Sequence, residues 1–263
     1  MAIMLDWRLI SAVVAGPLLM AAVGFSPMAF LALLGLLVIL GGVLEWSKLA
    51  GLGPVTRVVL VMMVVVAWLQ MLAAAIWDQQ FLYPLFALGV FWWCIMGWQI
   101  VTGGAYVVPV IAGLLMTLLP LLALWVLLAV CDRYFLYSFL LIVFCADVSA
   151  YAGGKVWGQR KLAESISPGK TWEGFFCALT GGSLMALVLG WARGFPELGL
   201  LGLVGVVFSQ IGDLTVSLLK RRAHAKDSSG FIPGHGGLLD RLDSLAGAAP
   251  FMAVGLMLGG VLR

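Results

Sequence analysis

Four aspartates stand where an apolar chain has no structural need of them. Asp147 and Asp213 lie inside long hydrophobic runs, and Asp240 and Asp243 are three apart in Gly237-Leu-Leu-Asp-Arg-Leu-Asp-Ser244. A carboxylate in hydrocarbon is expensive, so an acid there faces a polar cavity and has a partner. The plainer alternative is a polar seam between helices, closed by an Asp–Lys or Asp–Arg pair. Asp240 and Asp243 share one face of a helix that starts here, where they could simply answer its macrodipole. Beside Asp213 and Asp147 they would instead complete an all-oxygen cluster. That is the ligand chemistry of Mg²⁺, which is held by one or two carboxylates together with substrate phosphates.

Cations are interleaved with these acids. Lys220-Arg-Arg222, Lys226 and Arg241 fall within 22 residues, and Ser209, Asp213, Ser217 and Arg221 follow at i, i+4 with Lys220 beside them. Mixed signs at this density fit phosphates and a metal handled together better than a purely cationic lipid-surface patch. Between them, Gly230-Phe-Ile-Pro-Gly-His-Gly-Gly237 is a turn-rich loop whose backbone N–H groups can approach an anion. His235 there could bind a phosphate or nucleotide, or serve only as a hydrogen-bonder of the loop. Asp227 could pin the same loop by pairing with a cation, and His224 has no such context.

A second polar segment, Ser167-Pro-Gly-Lys-Thr-Trp-Glu-Gly174, offers Lys170 as a point charge and Glu173 just before a hydrophobic run. It lacks the Gly-x-x-x-x-Gly-Lys-Ser/Thr spacing of a P-loop. Upstream, Asp147-Val-Ser-Ala-Tyr-Ala-Gly-Gly154 is a small-residue exit suited to a ligand approaching the backbone.

The elements that hold these residues must lie in a membrane. Of 263 residues 63% are hydrophobic and 10% charged, with a mean hydropathy of +1.12, against about 25% charged in a soluble domain. Apolar runs near residues 9–24, 28–43, 59–77, 81–101, 107–130, 134–152, 174–191, 198–219 and 244–262 predict nine transmembrane helices, the first in place of a signal peptide. Pro120 predicts a kink or break in the fifth. With the N-terminus on one side, 12 of the 15 Lys and Arg residues fall on that side and 3 on the other, which makes it cytoplasmic and leaves the C-terminus outside. The expected fold is all-α and polytopic, one continuous membrane domain. Residues 1–131 supply about five helices, and residues 132–263 form a catalytic region with two long cytoplasmic loops. The four cysteines, with no Cys-x-x-Cys spacing, read as helix packing rather than a disulfide framework or thiolate metal site.

One long signature runs through the second half. Ser217-Leu-Leu-Lys-Arg221, Lys226-Asp227 and Ile232-Pro-Gly-His-Gly-Gly-Leu-Leu-Asp-Arg-Leu-Asp243 resemble, without departure over 27 residues, the diagnostic motif of the phosphatidate cytidylyltransferases. Ser209-Gln-Ile-Gly-Asp213, Asp147 with Ala150-Tyr-Ala-Gly153, and 167–174 resemble the family too. The likeness covers about residues 140–250. It implies condensation of CTP with phosphatidic acid to CDP-diacylglycerol and pyrophosphate, with Mg²⁺, a second metal or a monovalent cation assisting, and with no nucleic acid as partner. It also implies a homodimer in a bacterial inner membrane with a cytoplasmic active site. On this reading Asp213, Asp240 and Asp243 are catalytic metal ligands, with Asp147 a further metal candidate. Lys226, Ser217, Lys220, Arg221, His235 and Arg241 serve the phosphates, and Lys170 and Glu173 the nucleotide side. The competing readings are a CTP-dependent polyprenol kinase-like enzyme, which needs a base for an alcohol, and an ion-coupled secondary transporter. Transporters place ion sites at the membrane midplane within paired repeats, whereas these acids cluster toward one face.

Overall fold

A computed structural model describes residues 25–102, 110–229 and 236–262. Among them are eight helices long and apolar enough to cross a membrane: α1 (Met28–Leu49), α2 (Pro54–Trp77), α3 (Tyr83–Thr102), α4 (Val110–Cys131), α5 (Arg133–Trp157), α6 (Trp172–Arg193), α7 (Leu198–Arg222) and α8 (Leu239–Leu258). The protein is an all-α polytopic membrane protein. The first apolar run, residues 9–24, lies outside the described residues.

The helices form because each run satisfies its backbone internally, as hydrocarbon requires. Apart from polar residues on α5, α7 and α8, the helices are largely apolar all round. Large side chains such as Met62, Leu69, Phe91 and Leu184 point outward, while Trp46, Phe86 and Trp93 are fully buried between helices. Indole N–H groups tie the bundle: Trp125 donates to the Leu31 carbonyl at 2.8 Å and Trp68 to that of Ala32 at 3.1 Å, joining α4 and α2 to α1. α4 runs through Pro120 without a break. The ring is accommodated because α3 offers Gly89, where a Cβ would lie 3.0 Å from both Pro120 and Pro250.

α5 to α8 pack in sequence order, α5 on α6, α6 on α7 and α7 on α8, and α8 also meets α4. The α7–α8 crossing is close: a Cβ on Gly212 would collide with the Asp243 carbonyl, and one on Gly247 with that of Phe208. Small residues at such a seam let the backbones touch, which brings Asp213 and Asp243 to one level.

Several boundaries differ from the hydropathy pattern. α5 continues five residues past Ala152 and α7 three past Leu219, so Asp147 and Asp213 sit ten and nine residues from their helix ends. At 1.5 Å per residue that is about 15 and 14 Å, deeper than the runs alone gave and still matched. α8 begins at Leu239, five residues before its apolar run. The segment after α5 contains a hairpin, β1 (Lys161–Ala163) antiparallel to β2 (Ser167–Thr171), where only a loop was expected. The four cysteines are unpaired.

Candidate active site

A cavity of about 500 Å³ opens where α5, β2, α7 and the start of α8 meet. α5 contributes Asp147 and Lys155, β2 Lys170, α7 Asp213 and Lys220, and α8 Asp240, Arg241 and Asp243. All four expected aspartates therefore line one space, with four cations. At their formal charges these eight side chains sum to zero.

The charged groups fall into two sets. Lys220 Nζ meets Asp240 Oδ1 at 2.6 Å. The other Asp240 oxygen accepts from the Ser228 amide at 2.9 Å, the Ser228 hydroxyl at 3.0 Å and the Gly237 amide at 3.0 Å. Asp240, expected as a catalytic metal ligand, thus has both oxygens engaged by protein groups. Lys170 Nζ meets Asp213 Oδ2 at 2.8 Å and also reaches the Gln210 amide oxygen at 3.2 Å, while Ser217 donates to Asp213 Oδ1 at 3.2 Å. Asp147 receives a long bond of 3.4 Å from the Ser244 hydroxyl, and Asp243 accepts from the adjacent Ser244 amide at 2.7 Å. Asp243 is 5% exposed. Buried charge with so few donors is costly unless something positive joins it.

The remaining expected residues take other places. Arg221 Nε donates to the Ile166 carbonyl at 3.2 Å, fastening α7 to the turn of the hairpin. Glu173 accepts from the Gln159 and Arg160 amides at 3.1 and 3.2 Å, so it braces the entry to the hairpin. Lys226 is exposed and does not line the cavity. His235 lies outside the described residues.

Three residues of the site went unrecognised in the sequence. Lys155, whose ammonium stands 5.6 Å over the Tyr151 ring, follows Asp147 and Tyr151 at i, i+4, i+8, a spacing that signals one helical face. Gln210 gave only its place beside the Ser209 stripe. Glu45, buried at 6% exposure in α1, accepts bonds from Ser228, Ser229, Leu238 and Leu239. Its signal was isolation, since no other acid occurs between Asp6 and Asp78.

Among the described residues, no three His, Cys, Asp or Glu side chains converge as a ready-made metal cage. The donor set nevertheless fits Mg²⁺, because Asp147, Asp213 and Asp243 are hard oxygen donors on a cavity able to admit phosphates. Among the described residues Asp147 and Asp243 have one hydrogen-bond partner each, and Asp213 is held by side-chain donors that can turn away. Mg²⁺ seldom takes an all-protein shell.

A family model described as the cytidylyltransferase family matches residues 6–258. The phosphatidate cytidylyltransferase of Pseudomonas aeruginosa is 37% identical over 281 aligned positions, spanning 98% of each chain. That of Haemophilus influenzae is 45% identical over 130 residues, 45% of this chain and 43% of that protein. A relative from Arabidopsis thaliana, phosphatidate cytidylyltransferase 5, chloroplastic, is 45% identical over 116 residues, 40% of this chain and 28% of that protein. Seen with a matched, full-length relative and a cavity built from the motif's own acids and bases, the chain belongs to the cytidylyltransferase family.

Proposed function

We propose that this chain transfers the cytidylyl group of CTP to phosphatidate. A phosphatidate oxygen attacks the α-phosphorus, forming a new P–O bond. The bond from that phosphorus to the β-bridging oxygen breaks, and pyrophosphate leaves. The attacking phosphate is already an anion at pH 7, carrying about −1.5 to −2, so no general base is required. The difficulty is electrostatic, since two anions must meet and the leaving pyrophosphate must be neutralised.

The observation that carries this reading is the charge balance of the cavity. Four aspartates and four cations line it, so it has no surplus positive charge for two polyanions. Lys155, Lys170, Lys220 and Arg241 are placed to hold phosphates, with Lys170 and Lys220 each tethered by an aspartate that fixes its direction. Asp147, Asp213 and Asp243 would hold Mg²⁺, with a second metal or monovalent cation as a possible companion. When bound, Mg²⁺ supplies the missing positive charge and orients the triphosphate. Asp240 serves by orienting Lys220, and Ser217 by orienting Asp213. Glu173 and Arg221 support the hairpin that presents Lys170. Lys226 and His235 remain proposed phosphate contacts.

The acyl chains of phosphatidate stay in lipid while its phosphate reaches acids a few turns inside the helix ends. The excess of cations at this end of the bundle supports a cytoplasmic cavity, in a bacterial inner membrane. A homodimer is part of the same proposal and is tested by crosslinking in native membranes. The activity is tested by pyrophosphate release from detergent-solubilised protein. Release that requires CTP, phosphatidate and Mg²⁺ together is the expected result, and none from folded protein across varied lipids and monovalent salts would overturn it.

A further inference from the structure

The N-terminal helices share no motif with the cavity, yet one of their side chains is built into its frame. Helix α8 begins without a cap of its own: Leu238 stands at its N-cap with no side-chain hydrogen bond. The first amides of a helix have no partner within it. Here they are met from α1, nearly two hundred residues away. Glu45 Oε1 accepts from the Leu238 amide at 3.0 Å and Oε2 from the Leu239 amide at 2.8 Å. The same two oxygens take the hydroxyls of Ser229 at 2.6 Å and Ser228 at 2.8 Å. One buried carboxylate therefore grips both stems of the 228–239 segment.

The grip reaches the cavity by two short routes. Directly after the clamped amides come Asp240, Arg241 and Asp243, all lining it. The Ser228 hydroxyl lies within bonding distance of both Glu45 and Asp240 and shares its single proton between them. The Ser228 amide donates to Asp240, so residue 228 links Glu45 to Asp240 and through it to Lys220. The fit is tight. A Cβ at Gly237 would collide with Glu45 Oε2 and with Ser228 Oγ.

We propose that Glu45 is a positioning residue for the transfer reaction, locking the first turn of α8 so that Asp240, Arg241 and Asp243 stand in register with the α7 groups. This rests on the activity proposed above. The long-range attraction of a polyanion to the cavity survives a small shift of these groups, because Coulomb energy falls slowly with distance. Alignment at the reacting phosphorus does not survive it. Loss of the clamp should therefore act on turnover rather than on substrate capture.

The test is Glu45→Gln in the full chain in detergent, read by initial rates of pyrophosphate release, thermal unfolding, and hydrogen exchange of peptides spanning Leu238 and Leu239. Glutamine keeps the shape but sets its –NH₂ against one of the two backbone amides, a donor–donor opposition, while the serine hydroxyl on that side can turn to accept. The expected result is a kcat lower by roughly 10- to 100-fold, KM for CTP and phosphatidate within about threefold, and faster exchange at the start of α8. Glu45→Asp, which keeps both acceptors on a shorter stem, should fall between. A folded Glu45→Gln protein with kcat unchanged overturns the positioning role, and unchanged exchange overturns the clamp itself. Should Glu45→Gln not fold, Ser229→Ala, which removes one of the four bonds, takes its place. It must lower kcat several-fold with KM preserved, and wild-type turnover in it refutes the proposal. Wild-type protein without any pyrophosphate release would instead overturn the proposed activity, while the exchange measurement still decides on the clamp.

Discussion

Replacing Asp240 by Asn removes one charge and almost no volume, and the consequences follow from four bonds. The carboxylate holds Lys220 Nζ at 2.6 Å with side chains only 13% and 12% exposed, and takes three further donors from Ser228 and Gly237. Asparagine can keep its oxygen toward Ser228 and Gly237, but its amide then confronts the Lys220 ammonium. Breaking a buried pair by removing one partner costs about 3–5 kcal/mol. The residual exposure puts this pair near the lower figure, which lowers the unfolding midpoint on the order of 10 °C. Adding Lys220→Met removes the stranded charge, and a buried pair replaced by neutral groups is close to neutral in stability. The double variant should therefore recover most of the lost stability. Its turnover should stay low, because Lys220 also lines the cavity. Thermal unfolding and pyrophosphate release on Asp240→Asn, Lys220→Met and the double variant decide the matter. A double variant no more stable than Asp240→Asn would refute the reasoning about the pair, and full turnover in it would remove Lys220 from phosphate handling.

Other changes separate the roles of the remaining groups. Asp213→Asn and Asp243→Asn should each raise the Mg²⁺ concentration for half-maximal activity by at least roughly tenfold, whereas Asp240→Asn should leave it within about twofold; a Mg²⁺ titration of initial rates would expose the reverse order. Gly237→Ala should abolish turnover and lower the unfolding midpoint, because its methyl group collides with Glu45 and Ser228, while Gly53→Ala, away from the cavity and with nothing within 4 Å of its Cβ, should behave as wild type. Glu173→Ala should loosen the entry to the hairpin and raise KM for CTP several-fold with kcat preserved, so an unchanged KM would detach the hairpin from nucleotide binding.

The legible parts of this molecule were those whose energetic cost shows locally. A 20-residue apolar run declares a span, and Asp147 or Asp213 inside such a run declares a polar cavity. The face shared by Asp240 and Asp243 followed from their spacing alone. The start of α8 was obscured in the hydropathy pattern because Asp240, Arg241 and Asp243 make its first turns polar. The hairpin was hidden for another reason. Its strands have three and five residues, and the second contains Pro168 and Gly169, residues that disfavour a strand interior. What stabilises it is tertiary: Glu173 accepting from Gln159 and Arg160 at its entry, and Arg221 donating to Ile166 at its turn. Glu45 was hardest to read, since its partners are remote in the chain and a lone acid near a helix end looks like an ordinary interfacial charge.

Residue type alone does not separate the acids that build this protein from those placed to act in it, but their partners do. Asp78 and Asp132 accept from the amides of Gln80 and Tyr134 and so start helical turns. Glu173 takes two amides at the hairpin, and Glu45 takes two amides and two hydroxyls at α8. Asp240 takes two amides, an ammonium and a share of the Ser228 hydroxyl. Backbone donors cannot move away without disturbing the fold, so an oxygen they occupy is committed to architecture. Among the described residues, Asp147 takes no backbone amide, Asp213 takes side-chain donors alone, and Asp243 takes the amide next to it on one oxygen. Side-chain donors can turn toward a phosphate when one arrives, which frees the carboxylate for a cation. By this criterion the oxygens left for a cation under the proposed function are those of Asp147 and Asp213 and the second oxygen of Asp243, while Asp240 stands at the boundary, holding Lys220 with one oxygen and Ser228 and Gly237 with the other.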